Sequence, residues 1–209
     1  MQGLLLQQPV PSLHLSEDFD IKYTIIAQAV HDGEEDPCGQ TDASGNPVEY
    51  CRICGGVRAV AAACDKRSSC LSFDIEAQGD CGYLKSKRGP ATETTYNNNY
   101  FNFCKLSAAP ASGPNSCGGT YTYIRGHDIN GWETNCGWKN QQGETQGYCP
   151  VKPYVLNWLG ACSDYPGCQA VVVGPNSPGD EPIGYLKMRP GPTVPSPKWD
   201  VFVQKENKR

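Results

Sequence analysis

The stretch Val57-Arg58-Ala59-Val60-Ala61-Ala62-Ala63-Cys64, running through Asp65-Lys66-Arg67-Ser68-Ser69 to Cys70-Leu71-Ser72-Phe73, decides how this chain folds. Val57, Val60, Ala61 and Cys64 fall at i, i+3, i+4 and i+7, the spacing of a helix that buries one face. A short polar gap then leads to Cys70, which opens a β-prone run. The same wording returns later: Val155, Trp158, Leu159 and Cys162 keep the helical spacing, and Cys168 precedes Ala170-Val171-Val172-Val173. Moving the chain along itself by 98 positions lays Cys38, Cys51, Cys64 and Cys70 on Cys136, Cys149, Cys162 and Cys168 without a gap. Tyr23-Thr24 falls on Tyr121-Thr122, Gly33 on Gly131, and Tyr50-Cys51 on Tyr148-Cys149.

Four inserted residues within the loop-like segment Gly174 to Asp180 change the offset to 102, where Gly82-Tyr83-Leu84-Lys85 meets Gly184-Tyr185-Leu186-Lys187. The chain is therefore two diverged copies of one unit. We divide it into an N-terminal extension 1–18, a first unit 19–106, a linker 107–116, a second unit 117–205 and a tail 206–209. Short β-prone runs at 23–27, 71–75, 82–85 and 100–103 surround the first helix, and 121–124, 170–173, 184–187 and 199–203 answer them in the second. One amphipathic helix among such runs predicts an α+β unit, an antiparallel sheet with a helix on one face. About 90 residues make a marginal core, so disulfides are expected to supply much of the stability, roughly 2 to 4 kcal/mol each.

Twelve cysteines and only two methionines point to an oxidising compartment, and so to a secreted or cell-surface protein. An export signal is not visible in this chain: Met1-Gln2-Gly3-Leu4-Leu5-Leu6 has no charged start and too short an apolar run. The repeat constrains the pairing. Cys54 and Cys81 both lack a counterpart, having Lys152 and Ile183 in their places, and a bridge lost from one copy loses both ends, so Cys54 pairs with Cys81. Cys64–Cys70 and Cys162–Cys168 would tie each helix end to the next strand, and Cys38–Cys51 and Cys136–Cys149 would close the loop before each helix. Cys104–Cys117 remains, as a clamp across the linker.

Helix-Cys, short gap, Cys-strand, then a Tyr-Leu-Lys strand, as in Cys64 to Phe73 with Cys81-Gly82-Tyr83-Leu84-Lys85, resembles the PAN/apple family. The second copy offers Cys162 to Cys168, Gly184 to Lys187 and Trp199-Asp200-Val201-Phe202. The resemblance covers nearly the whole chain after residue 19 and implies two tandem PAN/apple-like domains, each a curved antiparallel sheet cradling one helix. In that family the helix-to-sheet bridges correspond to Cys54–Cys81 and Cys64–Cys70. It also implies a function in binding, to proteins or carbohydrates outside the cell, with no chemistry of its own. The second copy departs from the pattern by lacking the Cys54–Cys81 bridge, and Cys38 and Cys136 lie outside the usual core.

A formal net charge of −4 with no Lys/Arg stripe excludes a phosphate-backbone partner, so nucleic acid is not expected. No apolar run approaches the roughly 18 to 20 residues that cross a bilayer. Catalysis is not expected: His14, His31 and His127 lie in no nucleophile or hydrolase motif, and His127-Asp128 reads as a polar loop. Neither a cofactor nor a metal is expected. Cys51-Arg52-Ile53-Cys54 has the spacing of a zinc knuckle, but structural zinc needs a second such pair and none follows. Asp32 to Asp36, with Asp128, Asn130 and Glu133 at the equivalent place, fits no EF-hand.

The aromatic residues carry the binding expectation. Trp158 lies on the helix stripe and Trp199 in the last strand, positions expected in the core. Trp132 and Trp138 align instead with Glu34 and Gln40, in a loop beside Asn140, Gln141 and Gln142, where flat rings among amides suit a glycan or a protein partner. In the first copy Tyr96 and Tyr100 flank a polar hairpin tip, a second candidate. The sequence thus predicts a non-enzymatic extracellular adhesion module, with a structural subunit of a larger extracellular assembly as the alternative.

Overall fold

The computed structural model describes residues 21–27, 29–30, 33–88, 92–93, 100–106, 117, 119–175 and 181–205. The extension, the linker, the tail, His14, His31 and Tyr96 lie outside them. In chain order the elements are β1 (Ile21–Ala27), β2 (Ala29–Val30), β3 (Arg52–Cys54), α1 (Gly56–Asp65), β4 (Ser72–Glu76), β5 (Cys81–Lys85), β6 (Thr92–Glu93) and β7 (Tyr100–Lys105). They are followed by β8 (Tyr121–Asp128), β9 (Pro150–Val151), α2 (Val155–Asp164), β10 (Ala170–Gly174), β11 (Ile183–Lys187) and β12 (Val194–Gln204).

Ten strands join in one sheet, in the order β3-β5-β4-β7-β1-β8-β12-β10-β11-β9, while β2 and β6 pair apart from it. The order reads the same from both ends, because β8, β9, β10, β11 and β12 repeat β1, β3, β4, β5 and β7. Every pairing is antiparallel, giving a disulfide-rich α+β structure with two helices. The two repeats do not carry separate sheets. Their half-sheets meet where β1 pairs with β8, Thr24 opposite Thr122. These threonines are repeat equivalents, so a pseudo-two-fold axis passes between them.

Both helices bury the predicted faces, Val57, Val60, Ala61 and Cys64 in α1 and Val155, Trp158, Leu159 and Cys162 in α2, within one apolar cluster. An aromatic chain runs through that cluster from one repeat to the other. Tyr23 meets Phe73 edge-on at 5.0 Å, Phe73 stacks on Phe103 at 4.7 Å, and Phe103 touches Tyr123 at 5.8 Å. Tyr123 then packs on Phe202 at 5.1 Å, and Phe202 on Trp158 at 5.8 Å. Each helix also sits tightly on the sheet at a glycine. A Cβ on Gly184 would lie 2.5 Å from the Trp158 ring, and one on Gly82 would lie 3.1 Å from Val60 and 2.6 Å from the Asp74 carbonyl. No side chain fits between helix and strand there.

Tyrosines act as struts at equivalent positions. Tyr23 donates to the Asp65 carboxylate at 2.9 Å and the Ala61 carbonyl at 3.3 Å; Tyr121 donates to the Leu159 carbonyl at 3.2 Å and lies 2.9 Å from Ser163 Oγ. Burial first, and then the Asp65 charge, push the Tyr23 phenol far above its ordinary pKa, so the strut stays a donor.

The repeats are locked by charge as well as by the sheet. Asp200 of β12 is buried, yet its carboxylate accepts from Arg58 Nε at 3.1 Å, Arg58 Nη2 at 2.7 Å, Tyr123 Oη at 2.9 Å and the Gly126 amide at 2.8 Å. Arg58 also donates to the Pro197 and Trp199 carbonyls. Arg125 of β8 reaches back to Asp65 at the end of α1, 2.9 Å away. Six disulfides staple the remainder: Cys38–Cys51, Cys54–Cys81, Cys64–Cys70, Cys104–Cys117, Cys136–Cys149 and Cys162–Cys168. Cys54 and Cys81 face one another directly across β3 and β5.

Asp200→Ala should cost about 3 kcal/mol in urea unfolding, because it strands the Arg58 guanidinium and the Tyr123 hydroxyl without their acceptor. Trp158→Ala should cost about 3 to 5 kcal/mol, whereas Trp132→Ala should stay within about 0.5 kcal/mol of the parent. The contrast follows from exposures of 5% and 47%. Equal losses would mean that Trp132 is part of the fold.

Candidate binding cleft

Strand alternation separates two sets of residues in repeat two. Gly184 and Leu186 of β11 face α2 and the shared core, so Tyr185 and Lys187 point to the other, helix-free face. There a second apolar cluster, Ile124, Ile129, Ala170, Val172 and Val201, forms a floor with Trp199 and Val203 packed against it. Val172 pairs with Tyr185 on one side and Val201 on the other. Between Pro195 and Asp200 the β12 register shifts, and Trp199 lies in that irregular segment.

The result is a cleft of about 440 Å³ with Val172 at its base and Tyr148, Tyr185 and Trp199 on its walls. The rings form a row: Trp138 lies 5.4 Å from Tyr148, Tyr148 lies 5.7 Å from Tyr185, and Tyr185 lies 5.8 Å from Trp199. Asp128, Glu133 and Lys187 supply the polar wall. Lys187 is 4% exposed; its ammonium donates to Glu133 Oε1 at 2.7 Å and to the Gly131 carbonyl at 3.0 Å. Burial, the largest single influence, would raise the Glu133 pKa, but the Lys187 hydrogen bond, a backbone hydrogen bond and the Lys187 charge together hold the carboxyl below its ordinary value. Burial, and after it the neighbouring Tyr148, raises the Tyr185 phenol, which therefore remains protonated.

Ring faces can take the C–H surface of a ligand, while an ammonium and carboxylates at their end can take hydroxyl groups.

The structure brings Trp138 to the end of this row, 38% exposed. Trp132 lies elsewhere, beneath the Arg189 guanidinium at 3.7 Å from its ring centroid. Asn140 holds its own loop together: Oδ1 accepts from the Gln142 and Glu144 amides at 3.0 and 2.9 Å, and Nδ2 donates to Glu144 at 2.9 Å. Gln141 and Gln142 are exposed on that loop. Tyr100 of β7 is half-buried, 6.4 Å from Tyr83.

Trp199, expected in the core, is half-buried instead, since the register shift takes it out of the regular strand. The residues that sequence reasoning misses are Tyr148, Tyr185, Glu133 as a hydrogen-bonding partner, and Lys187. Their signal is identity between copies, with Tyr50, Tyr83, Glu35 and Lys85 at the corresponding positions. Such identity reads equally well as a signature of the fold alone.

The other polar clusters are taken up internally. Asp36 is buried with Arg67 at 2.8 and 3.0 Å and Ser69 at 2.9 Å, and the hydrogen bond from Arg67 lowers its pKa despite burial. Glu35 pairs with Lys85. The basic run 85–88 is divided: Lys85 is buried with Glu35 and Asp74, Lys87 faces Glu34 at 3.9 Å, and Arg88 donates to the Lys105 carbonyl. His127 Nδ1 lies 2.9 Å from the Arg125 carbonyl, and Asp128 accepts from the Ile129 amide at 2.6 Å. Among the described residues one group has donor atoms close enough to share a metal, Cys54, Asp80 and Cys81, and both of its sulfurs are in a disulfide.

No helix among the described residues is long and apolar enough to cross a membrane. No family model, curated protein or solved structure matches this chain.

Proposed function

We propose that this protein is a non-enzymatic extracellular recognition module that binds a neutral carbohydrate in the helix-free cleft of its second repeat. The observation that carries the reading is the ring row Trp138, Tyr148, Tyr185 and Trp199, set over an apolar floor and closed by the Glu133–Lys187 pair. A sugar has one apolar ring face and a rim of hydroxyls, and the cleft offers both complements. Its two carboxylates, Asp128 and Glu133, against the single ammonium of Lys187 disfavour sulfated or uronic chains. Six disulfides support an oxidising, extracellular setting. One helix on an antiparallel half-sheet supports reading each repeat as PAN/apple-like, with both the Cys54–Cys81 and Cys64–Cys70 bridges in the first and only the Cys162–Cys168 bridge in the second.

The alternative, a structural subunit, has one observation of its own. Trp132 is 47% exposed and Met188 38%, and they are joined by the Met188 amide to Trp132 carbonyl bond with Arg189 over the ring. A protein contact there would bury an anchor of the kind interfaces favour. Concentration-dependent association in sedimentation velocity that Trp132→Glu removes would favour it.

Tyr185→Ala and Trp199→Ala should each weaken binding to immobilised neutral oligosaccharides by roughly tenfold, the loss of about 1.4 kcal/mol of ring contact. Near-ultraviolet dichroism should show both variants folded, with Trp199→Ala also giving up packing against the Val172 and Val201 floor. Heparin-coated beads should retain neither variant nor parent. Undiminished glycan binding by the folded variants, or a preference for heparin, would overturn the reading.

The Glu133–Lys187 pair also sets an acid limit. Because the folded Glu133 pKa lies below the ordinary 4.5, its contribution to stability is present above pH 4.5 and is lost as pH falls through the depressed value. In a series of unfolding curves Lys187→Met should remove that contribution, so that stability depends less on pH below about 4.5.

A further inference from the structure

Repeat one reproduces the ring row on the same face of the same sheet. Tyr50, Tyr83 and Tyr100 stand where repeat two has Tyr148, Tyr185 and Trp199, the last pair lying three residues before Phe103 and Phe202 in equivalent strands. Tyr50 lies 5.9 Å from Tyr83, and Tyr83 lies 6.4 Å from Tyr100, close to the spacings in the cleft. The buried ammonium recurs too: Lys85 donates to Glu35 and to the Gly33 carbonyl, as Lys187 does to Glu133 and the Gly131 carbonyl.

The floor has changed. Ser72, Asp74 and Asn102 replace Ala170, Val172 and Val201, and all three are buried. Asn102 Nδ2 donates to Asp74 Oδ1 at 2.8 Å, and Lys85 lies 3.6 Å from Asp74 Oδ2. Asn102 is fully buried, and its Oδ1 has no hydrogen-bond partner among the described residues. At the open rim Arg52 and Glu76 face one another at 3.5 Å, with side chains 44% and 31% exposed.

We infer that Tyr50, Tyr83 and Tyr100 form a second sugar site, so that the chain is divalent. The inference rests on reading the repeat-two cleft as a sugar site. Its ligand is again a neutral pyranose, stacked on Tyr83 and Tyr100. Adjacent hydroxyls then bridge the Arg52 guanidinium and the Glu76 carboxylate, a donor fork beside an acceptor that a vicinal diol fits. Carboxylates outnumber cations in this site as in the other, since Asp74, Glu35 and Glu76 face Lys85 and Arg52. An anionic glycan is therefore disfavoured in both. The polar floor and charged rim distinguish the two sites, so they need not prefer the same sugar.

The placement of tryptophan separates the sites experimentally. All four tryptophans lie in repeat two, so tryptophan fluorescence follows that site and is blind to the tyrosine row. The full chain, Tyr83→Ala, Tyr185→Ala and the double variant would be applied to beads bearing β-galactoside, α-mannoside or β-N-acetylglucosaminide, each kind alone and in pairwise mixtures. Sedimentation velocity establishes the monomer, near-ultraviolet dichroism the fold, and Tyr83→Phe retains the stacking ring.

A monomeric parent that agglutinates beads, single variants that bind beads without agglutinating them, and a double variant that does neither would support divalency. Arg52→Ala should weaken the repeat-one site by roughly tenfold and leave the fluorescence response intact. If Tyr185→Ala abolishes all bead binding while Tyr83→Ala changes nothing, the second site is refuted and the repeat-two reading stands. If Tyr83→Ala abolishes binding and Tyr185→Ala does not, the repeat-two reading falls and a single repeat-one site remains. A parent that binds none of the beads overturns both.

Discussion

The antiparallel pairing of Ile21–Ala27 with Tyr121–Asp128 is the contact on which everything else depends. Each half, taken alone, would expose an edge strand and the open side of a small core. Joined through Thr24 and Thr122, the halves gain one continuous sheet and an aromatic core running from Tyr23 to Trp158. Asp200 then fixes the joint. A buried carboxylate is tolerable only when its acceptor capacity is filled, and Arg58, Tyr123 and Gly126 fill it from two repeats. Since α1 brings Arg58 to this site and Asp65 to Arg125, the first helix acts on the second repeat as much as on its own.

What can be read from the sequence is whatever the chain states twice. The helix stripes, the short strands and the cysteine positions each occur in both copies, and the absence of Cys54 and Cys81 from the second identifies them as a unit that sits in one bridge. The joint between repeats leaves no such trace. A strand such as Tyr121 to Asp128 has the same alternation whether its neighbour belongs to its own repeat or to the other. Arg58 and Asp200 are 142 positions apart, and neither has a counterpart of like charge in the other copy. The candidate cleft is half legible. Trp138 stands out for lacking an equivalent, whereas Tyr148, Tyr185 and Lys187 are hidden by having one.

Duplication thus left two kinds of difference. Differences in the core are mild, with Val60 answered by Trp158 over a glycine in each case. On the helix-free face the walls are kept and the floor is exchanged, from Ser72, Asp74 and Asn102 to Ala170, Val172 and Val201. Buried polar side chains constrain geometry more than aliphatic ones do, because each must satisfy a neighbour. The first floor is therefore the more rigidly specified of the two, and the second is freer to tolerate substitution.

The palindromic strand order has a consequence for the protein at high concentration. It places β3 and β9 at the two margins of the sheet, and these are only three and two residues long. β9 begins with Pro150, which has no amide hydrogen to offer, and β3 is pinned to its neighbour by the Cys54–Cys81 bridge. A broad sheet with long open margins would recruit further strands and grow into fibrils. Here the margins give an incoming strand almost no ladder to extend, so wide twisted sheets can crowd together without fusing.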